Sequence, residues 1–148
     1  MLLDVHIDGA SRGNPGLAAI GIMIKSDDKI IKEHCEFIGI RTNNQAEYEA
    51  LRRALEICTE IDSEVNILSD SELLINQRNL KYRIRSQELK IISREISNLE
   101  KNYNKITYKH IPRTKNSRAD YLANKALDIH IGTNERNDHY KSKFCRRK

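Results

Sequence analysis

The sequence predicts an α/β fold, a five-stranded mixed sheet flanked by helices, and three observations predict it. Leu3, Val5 and Ile7 alternate with Asp4, His6 and Asp8, the two-residue period of a strand. Two more strand-like runs follow, separated by short polar turns, which is the pattern of an antiparallel meander. Beyond the third strand the apolar spacing becomes helical, and helices then separate the later strands, which argues for parallel pairing there.

Taken in order, the first strand covers residues 3–8, and Asp8 ends it. Ala10 to Gly16 (Ala-Ser-Arg-Gly-Asn-Pro-Gly) is dense in turn formers. Residues 18–25 form the second strand, Ser26-Asp27-Asp28-Lys29 a turn, and residues 30–38 the third strand. Glu47, Ala50, Leu51, Ala54, Leu55 and Cys58 fall on one face of a helix, with Asn43 or Asn44 as its N-cap. Val65 to Leu68 is a short strand ending at Ser69-Asp70-Ser71. Leu73 to Gln77 is a brief helix, and residues 78–85 form a basic connector. Leu89, Ile92, Ile96 and Leu99 mark another helix, and Ile106, Tyr108 and His110 a fifth strand that Pro112 ends. Asn116 or Ser117 caps a last helix through Ala119, Leu122, Ala123, Ala126 and Leu127. The order is β-β-β-α-β-α-α-β-α. Periodicity fades after residue 131, so residues 1–130 read as one domain and 131–148 as a basic, mobile tail.

Bulk properties exclude several classes. A chain of 148 residues with 39% hydrophobic and 32% charged residues suits one soluble domain with a single core. It has no run of eighteen apolar residues and no secretory pattern at residues 1–6, so no membrane partner and a cytoplasmic location are expected. Cys35, Cys58 and Cys145 include no C-x-x-C pair, which leaves them as free thiols, with one pairing of Cys145 to Cys58 or Cys35 as the alternative. The net charge of +5 is unevenly spread: residues 1–77 carry −7, residues 78–118 +9 and residues 131–148 +4. An acidic portion beside basic ones fits a protein that handles phosphates around a carboxylate centre.

Four carboxylates occupy special positions. Asp8 and Asp70 terminate strands, and they lie side by side if those strands are parallel neighbours. Glu47 and Asp120 sit in the first turns of helices, close to apolar positions. Each has a plainer reading, as a polar strand end or as a capping-box acid three residues after Asn44 or Ser117. Together, however, clustered carboxylates repel one another and are costly to bury without a cation, and hard oxygen ligands suit Mg²⁺ or Mn²⁺.

The surroundings of these residues resemble the type 1 ribonuclease H family. Asp8-Gly9-Ala10-Ser11-Arg12-Gly13-Asn14-Pro15-Gly16 is similar to the family's D-G-(S/A)-x-x-x-N-P-G, and Thr42-Asn43-Asn44-Gln45-Ala46-Glu47 to its T-N-N-x-x-E. Ser69-Asp70-Ser71 resembles its (T/S)-D-S, and Asn116 to Ala123 its N-x-x-(A/C)-D-x-L-A. The four segments occur in family order over residues 2 to about 130. The resemblance implies a ribonuclease H-like fold and a monomeric endoribonuclease. This enzyme would cut the RNA strand of an RNA–DNA hybrid and leave 5′-phosphate and 3′-hydroxyl ends, with activity on double-stranded RNA left open. Asp8, Glu47, Asp70 and Asp120 then match the catalytic carboxylates that hold two Mg²⁺ ions, with Mn²⁺ able to substitute and Asp8 bridging both. Asn43 and the backbone near Gly9 and Ser11 match positions that touch the RNA strand. Asn14, Arg41, Thr42 and Asn44 match positions that hold the DNA strand.

Departures from the family pattern matter as well. The chain has no Trp, and in place of a Trp-rich basic protrusion it carries a short connector with Arg78, Lys81, Arg83 and Arg85 around Tyr82. The loop before the last acid reads His110-Ile111-Pro112-Arg113-Thr114-Lys115. We take Arg113 as the mobile catalytic cation and His110 as a strand residue. No separate N-terminal hybrid-binding module is expected. Two alternatives stand beside this reading: another nuclease of the same fold, resolvase- or integrase-like, and a catalytically silent nucleic-acid-binding domain.

Overall fold

The computed structural model describes residues 2–136. β1 (Leu3–Gly13), β2 (Gly16–Ser26) and β3 (Lys29–Arg41) precede α1 (Asn43–Cys58). Then come β4 (Glu64–Ser69), α2 (Glu72–Arg78), α3 (Gln87–Glu100), β5 (Lys105–His110), a 3₁₀ turn (Arg113–Lys115) and α4 (Ser117–Arg136). The five strands form one mixed sheet in the order β3-β2-β1-β4-β5, antiparallel through β1, β2 and β3 and parallel through β1, β4 and β5. Element order and pairing are those expected from the sequence.

The strand period of two sorts side chains to the two faces of the sheet. Leu3, Val5, Ile7, Ile20, Ile22 and Ile24 enter the larger core, closed by Tyr48, Leu51 and Leu55 of α1 and Leu89 and Ile96 of α3. Ala19, Met23 and Cys35 face the opposite way and meet Leu122, Ala126 and Leu127 of α4. The sheet is therefore covered on both sides, with α4 lying over β1, β2 and β3.

Several local expectations change. β1 does not end at Asp8 but runs on to Gly13, because Gly9 to Arg12 pair with Leu17 to Ile20 of β2. The turn shrinks to Asn14-Pro15, joined by a cis peptide bond. Between β2 and β3, Asp27 and Asp28 both adopt left-handed backbone (φ 52° and 65°), which matches the twist of a tight hairpin. The N-cap of α1 is Thr42 rather than Asn43 or Asn44. Its hydroxyl accepts from the Gln45 N–H while the Gln45 side chain accepts from the Thr42 N–H. Arg78 is no surface connector cation: it ends α2 with its side chain buried, donating to Ser93 Oγ and Glu100 Oε2 at 2.7 Å each. α4 continues unbroken past residue 131 to Arg136, and residues 137–148 lie outside the described ones. Cys58 is a free, fully buried thiol. Cys35 is buried and not free, and Cys145 lies outside the described residues. Among the described residues, no helix is long and apolar enough to cross a membrane.

Candidate active site

Register brings the first two acids together. The parallel ladder between β1 and β4 ends with Ile7 opposite Ser69, so the next residues, Asp8 and Asp70, emerge side by side at the carboxyl end of β4. Two glycines admit the helices that carry the other acids. A Cβ on Gly9 would lie 2.3 Å from the Ala46 carbonyl carbon, so only glycine lets the first turn of α1 press against β1. Gly21, opposite Asp8 on β2, has the same relation to α4: a Cβ there would lie 2.2 Å from the Ala119 carbonyl oxygen. Glu47 and Asp120 are thereby lowered onto Asp8 from two sides.

The outcome is a cleft of about 380 Å³ lined by all four acids together with Arg12, Asn43, Arg113 and Asn124. One ligand oxygen from each of Asp8, Glu47 and Asp70 falls within a 4.8 Å span. A single divalent cation with oxygen contacts of about 2–2.5 Å could touch all three. Asp120 stands just outside this trio and hydrogen-bonds the Asp8 carboxyl. Glu47 accepts from the Gly9 N–H at 3.0 Å, so its capping-box reading fails: Gln45 fills that role.

Electrostatics identify a site that wants positive charge. Burial is the main force raising the Asp8 pKa to about 8, followed by the charge of Asp70 and the hydrogen bond with Asp120. The Arg113 guanidinium opposes that rise without cancelling it. Glu47 is pushed well above the usual carboxylate range by burial first, then by Asp8 and Asp70, against the pull of the Gly9 N–H. Proton-hungry clusters of hard oxygens fit divalent ions, which neutralise the same charge at fixed geometry.

The other expected residues divide between the cleft and its rim. Ser11 donates its N–H to Asn43 Oδ1 at 3.2 Å and its hydroxyl to the Arg41 carbonyl at 2.8 Å. Asn14 Oδ1 accepts from the Asn43 N–H at 3.0 Å. These bonds lock the β1–β2 hairpin to the start of α1. Asn14, Thr42 and Asn44 line a neighbouring cleft of about 350 Å³ with Gln45, Ser86, Glu88 and Leu89. Arg41 turns back on the protein: it donates to the Ile40 carbonyl, and its Nε lies 3.6 Å from Glu49. Arg113 reaches the acidic cleft, whereas His110 ends β5 opposite Ser69 and is not among the cleft-lining residues.

Sequence reasoning passes over three side chains here. Asn116 has the position of a helix cap. Instead it is fully buried and donates to the Ile7 carbonyl at 2.9 Å and to Asp70 Oδ2 at 3.4 Å, tying the start of α4 to both acid-bearing strands. Its place in the N-x-x-A-D segment is the available signal. Arg12 and Asn124 have none, because they meet only across 112 residues of chain.

Comparison with known proteins agrees with this geometry. The family profile described as reverse transcriptase-like matches residues 6–126. Ribonuclease HI of Halobacterium salinarum is 38% identical over 125 residues, covering 83% of this chain and 63% of that protein. A bifunctional protein of Mycobacterium tuberculosis is 33% identical over 131 residues, or 86% of this chain and 36% of its own length. The chain thus spans less than two thirds of these relatives. Among solved structures, RNase H1 of H. salinarum superposes with a TM-score of 0.84 at 38% identity, covering 86% of this chain and 98% of that one. LC11-RNase H1 in complex with an RNA/DNA hybrid also gives 0.84 at 38% identity, covering 87% and 99%. With its profile match, its fold and its sequence likeness in accord, the chain belongs to the type 1 ribonuclease H family.

Proposed function

We propose that this chain is a divalent-metal-dependent endoribonuclease that hydrolyses the RNA strand of RNA–DNA hybrids, leaving 5′-phosphate and 3′-hydroxyl ends. The observation that carries the proposal is the convergence of Asp8, Glu47, Asp70 and Asp120, from four separate elements, on one cleft beside an asparagine-lined rim. The hybrid-bound RNase H1 relative lends the substrate class.

In this reading Asp8, Glu47 and Asp70 hold one Mg²⁺, and Asp8 and Asp120 the second, with Mn²⁺ able to replace either. When bound, the ions polarise the scissile phosphate and lower the pKa of the attacking water. The chain's own residues do the rest. Asn116 fixes Asp70 and the Ile7 carbonyl in one frame. Gly9 and Ser11 present the β1 edge to the RNA strand beside the Asn43 amide, which can both donate to and accept from a 2′-hydroxyl. Asn14, Thr42 and Asn44 hold the DNA strand, and Arg41 braces that rim through Glu49. Arg113, exposed at the mouth, neutralises the departing phosphate product.

Hydrolysis of an end-labelled hybrid with Mg²⁺ or with EDTA decides the matter, run beside double-stranded RNA, double-stranded DNA and a four-way junction. Mg²⁺-dependent cleavage of the hybrid's RNA strand is expected. Cleavage of the junction alone, or of nothing, would discard the proposal.

A further inference from the structure

Asp120 is the acid left outside the carboxylate trio, and a two-residue brace holds it. Asn124, one turn further along α4, donates its Nδ2 to the Asp120 carbonyl at 3.0 Å and to Asp120 Oδ1 at 3.3 Å. An amide can present its oxygen or its nitrogen to a neighbour, so something must fix which faces the acid. Arg12 does this: its Nη2 donates to Asn124 Oδ1 at 3.1 Å, which leaves the amide nitrogen turned toward Asp120. Arg12 is itself seated against Asp128 Oδ1 at 2.8 Å. Because Arg12 and Asp8 share β1, the brace spans the two elements that carry Asp8 and Asp120.

We infer that Asn124 and Arg12 are positioning residues that set the Asp120 carboxylate for the ion it shares with Asp8, leaving the ion of the Asp8–Glu47–Asp70 trio untouched. The inference rests on the ribonuclease H reading. The brace contributes little to folding stability. The Arg12 and Asp128 side chains are 37% and 69% exposed, and water and salt screen an ion pair so exposed. Its effect therefore falls on the site and not on the fold. Arg12 also lines the cleft wall, so a direct contact between its guanidinium and a substrate phosphate is the competing role.

The experiment titrates Mn²⁺ into the full chain, following free ion by paramagnetic resonance, and in parallel measures hydrolysis against Mg²⁺ and hybrid concentration. Asp120→Asn first marks which ion Asp120 holds. Asn124→Ala and Arg12→Ala should each weaken that ion by about ten-fold or more, the range for removing a partner of a metal ligand. The other ion, the melting temperature in EDTA, and KM for the hybrid at saturating Mg²⁺ should stay as in the parent. Arg12→Ala should add nothing once Asn124→Ala is present, and Arg12→Lys, which keeps a cationic N–H donor, should recover most of the loss. Equal weakening of both ions, no weakening of either, or a rise in KM on Arg12→Ala in both backgrounds would overturn the inference. If the parent protein leaves hybrid intact, the ribonuclease reading fails while the Mn²⁺ titration still judges the brace. If the parent cleaves and the titrations coincide, the brace alone is lost.

Discussion

Asp8 concentrates the electrostatics of the site in one side chain, and its behaviour with pH follows from its surroundings. Its pKa rises from 3.8 to about 8 on folding, so the metal-free native state keeps a proton that the unfolded chain gives up above pH 4. The native state then binds more protons than the unfolded one, and stability must fall as pH climbs through that window. The melting temperature in EDTA should therefore decline from pH 4 to pH 8, and millimolar Mg²⁺ should flatten the decline by taking the proton's place; a flat profile in EDTA would contradict the burial of this charge. Asp8→Asn or Asp70→Asn should abolish hydrolysis, measured on labelled hybrid, with the circular-dichroism spectrum unchanged. Asp8→Asn should also reduce the pH dependence, leaving the part that buried Glu47 contributes with the same sign. Arg113 is exposed at the cleft mouth, so Arg113→Ala should lower kcat several-fold with a smaller change in KM; steady-state kinetics separate the two, and an unaltered kcat would return attention to His110. How legible were such residues? The four acids could be named because they sit in ordered motifs, whereas Arg113 lies in a loop that departs from the family pattern and could be named only as a cation just before the last acid. Asn116 could be placed but not understood, since a helix-start asparagine is usually a cap, and only the proximity of Ile7 and Asp70 redirects its amide.

At the level of elements, periodicity and apolar runs together mark the five strands and four α-helices: an element covered on one face writes its period into the sequence, while β2, covered on both, reads as an unbroken apolar run. Boundaries were less visible. Ala10 to Gly13 looks like a turn when read locally, yet hydrogen bonding to β2 keeps it extended, and that partner is invisible until the hairpin closes. Likewise nothing in Arg78 itself announces burial, which depends on Glu100 of α3 arriving beside it. Glycine positions illustrate the same gap from the other side. Gly21 reads as an ordinary residue in a strand, yet it governs how near α4 can come to Asp8. Gly21→Ala must push the Ala119 carbonyl outward, at about 1–3 kcal/mol for overpacking, and Asp120 moves with it. Activity should fall by more than the loss of stability explains, as judged by hydrolysis rates measured well below the melting temperature. Parent-like activity would mean that α4 can shift without disturbing the acid.

Charge organises the whole molecule. Under the proposed function the acidic cleft would repel its polyanionic substrate, so affinity for a duplex would have to come from elsewhere, and the +9 of residues 78–118 is the natural source. Since Arg78 is occupied internally, the remaining cations of the connector are Lys81, Arg83 and Arg85. They line a groove of about 530 Å³ with Tyr82, Leu73 and Gln77. That groove shares Ser86 and Leu89 with the cleft of Asn14, Thr42 and Asn44, so the two form one track leading from the basic connector to the asparagine-lined rim. A duplex backbone lying along this track would meet cations at one end and amides at the other, with its scissile strand over the carboxylates. Replacing Lys81, Arg83 and Arg85 together by alanine should then weaken hybrid binding steeply at low salt. It should also reduce the slope of log affinity against log salt by roughly 2–3, close to one for each phosphate that no longer meets a cation. The maximal rate at saturating hybrid should hold, because none of the three residues borders the acids. Fluorescence anisotropy over a salt series measures the slope. An unchanged slope would mean that the duplex takes another path across the protein, and that the basic segment serves solubility alone.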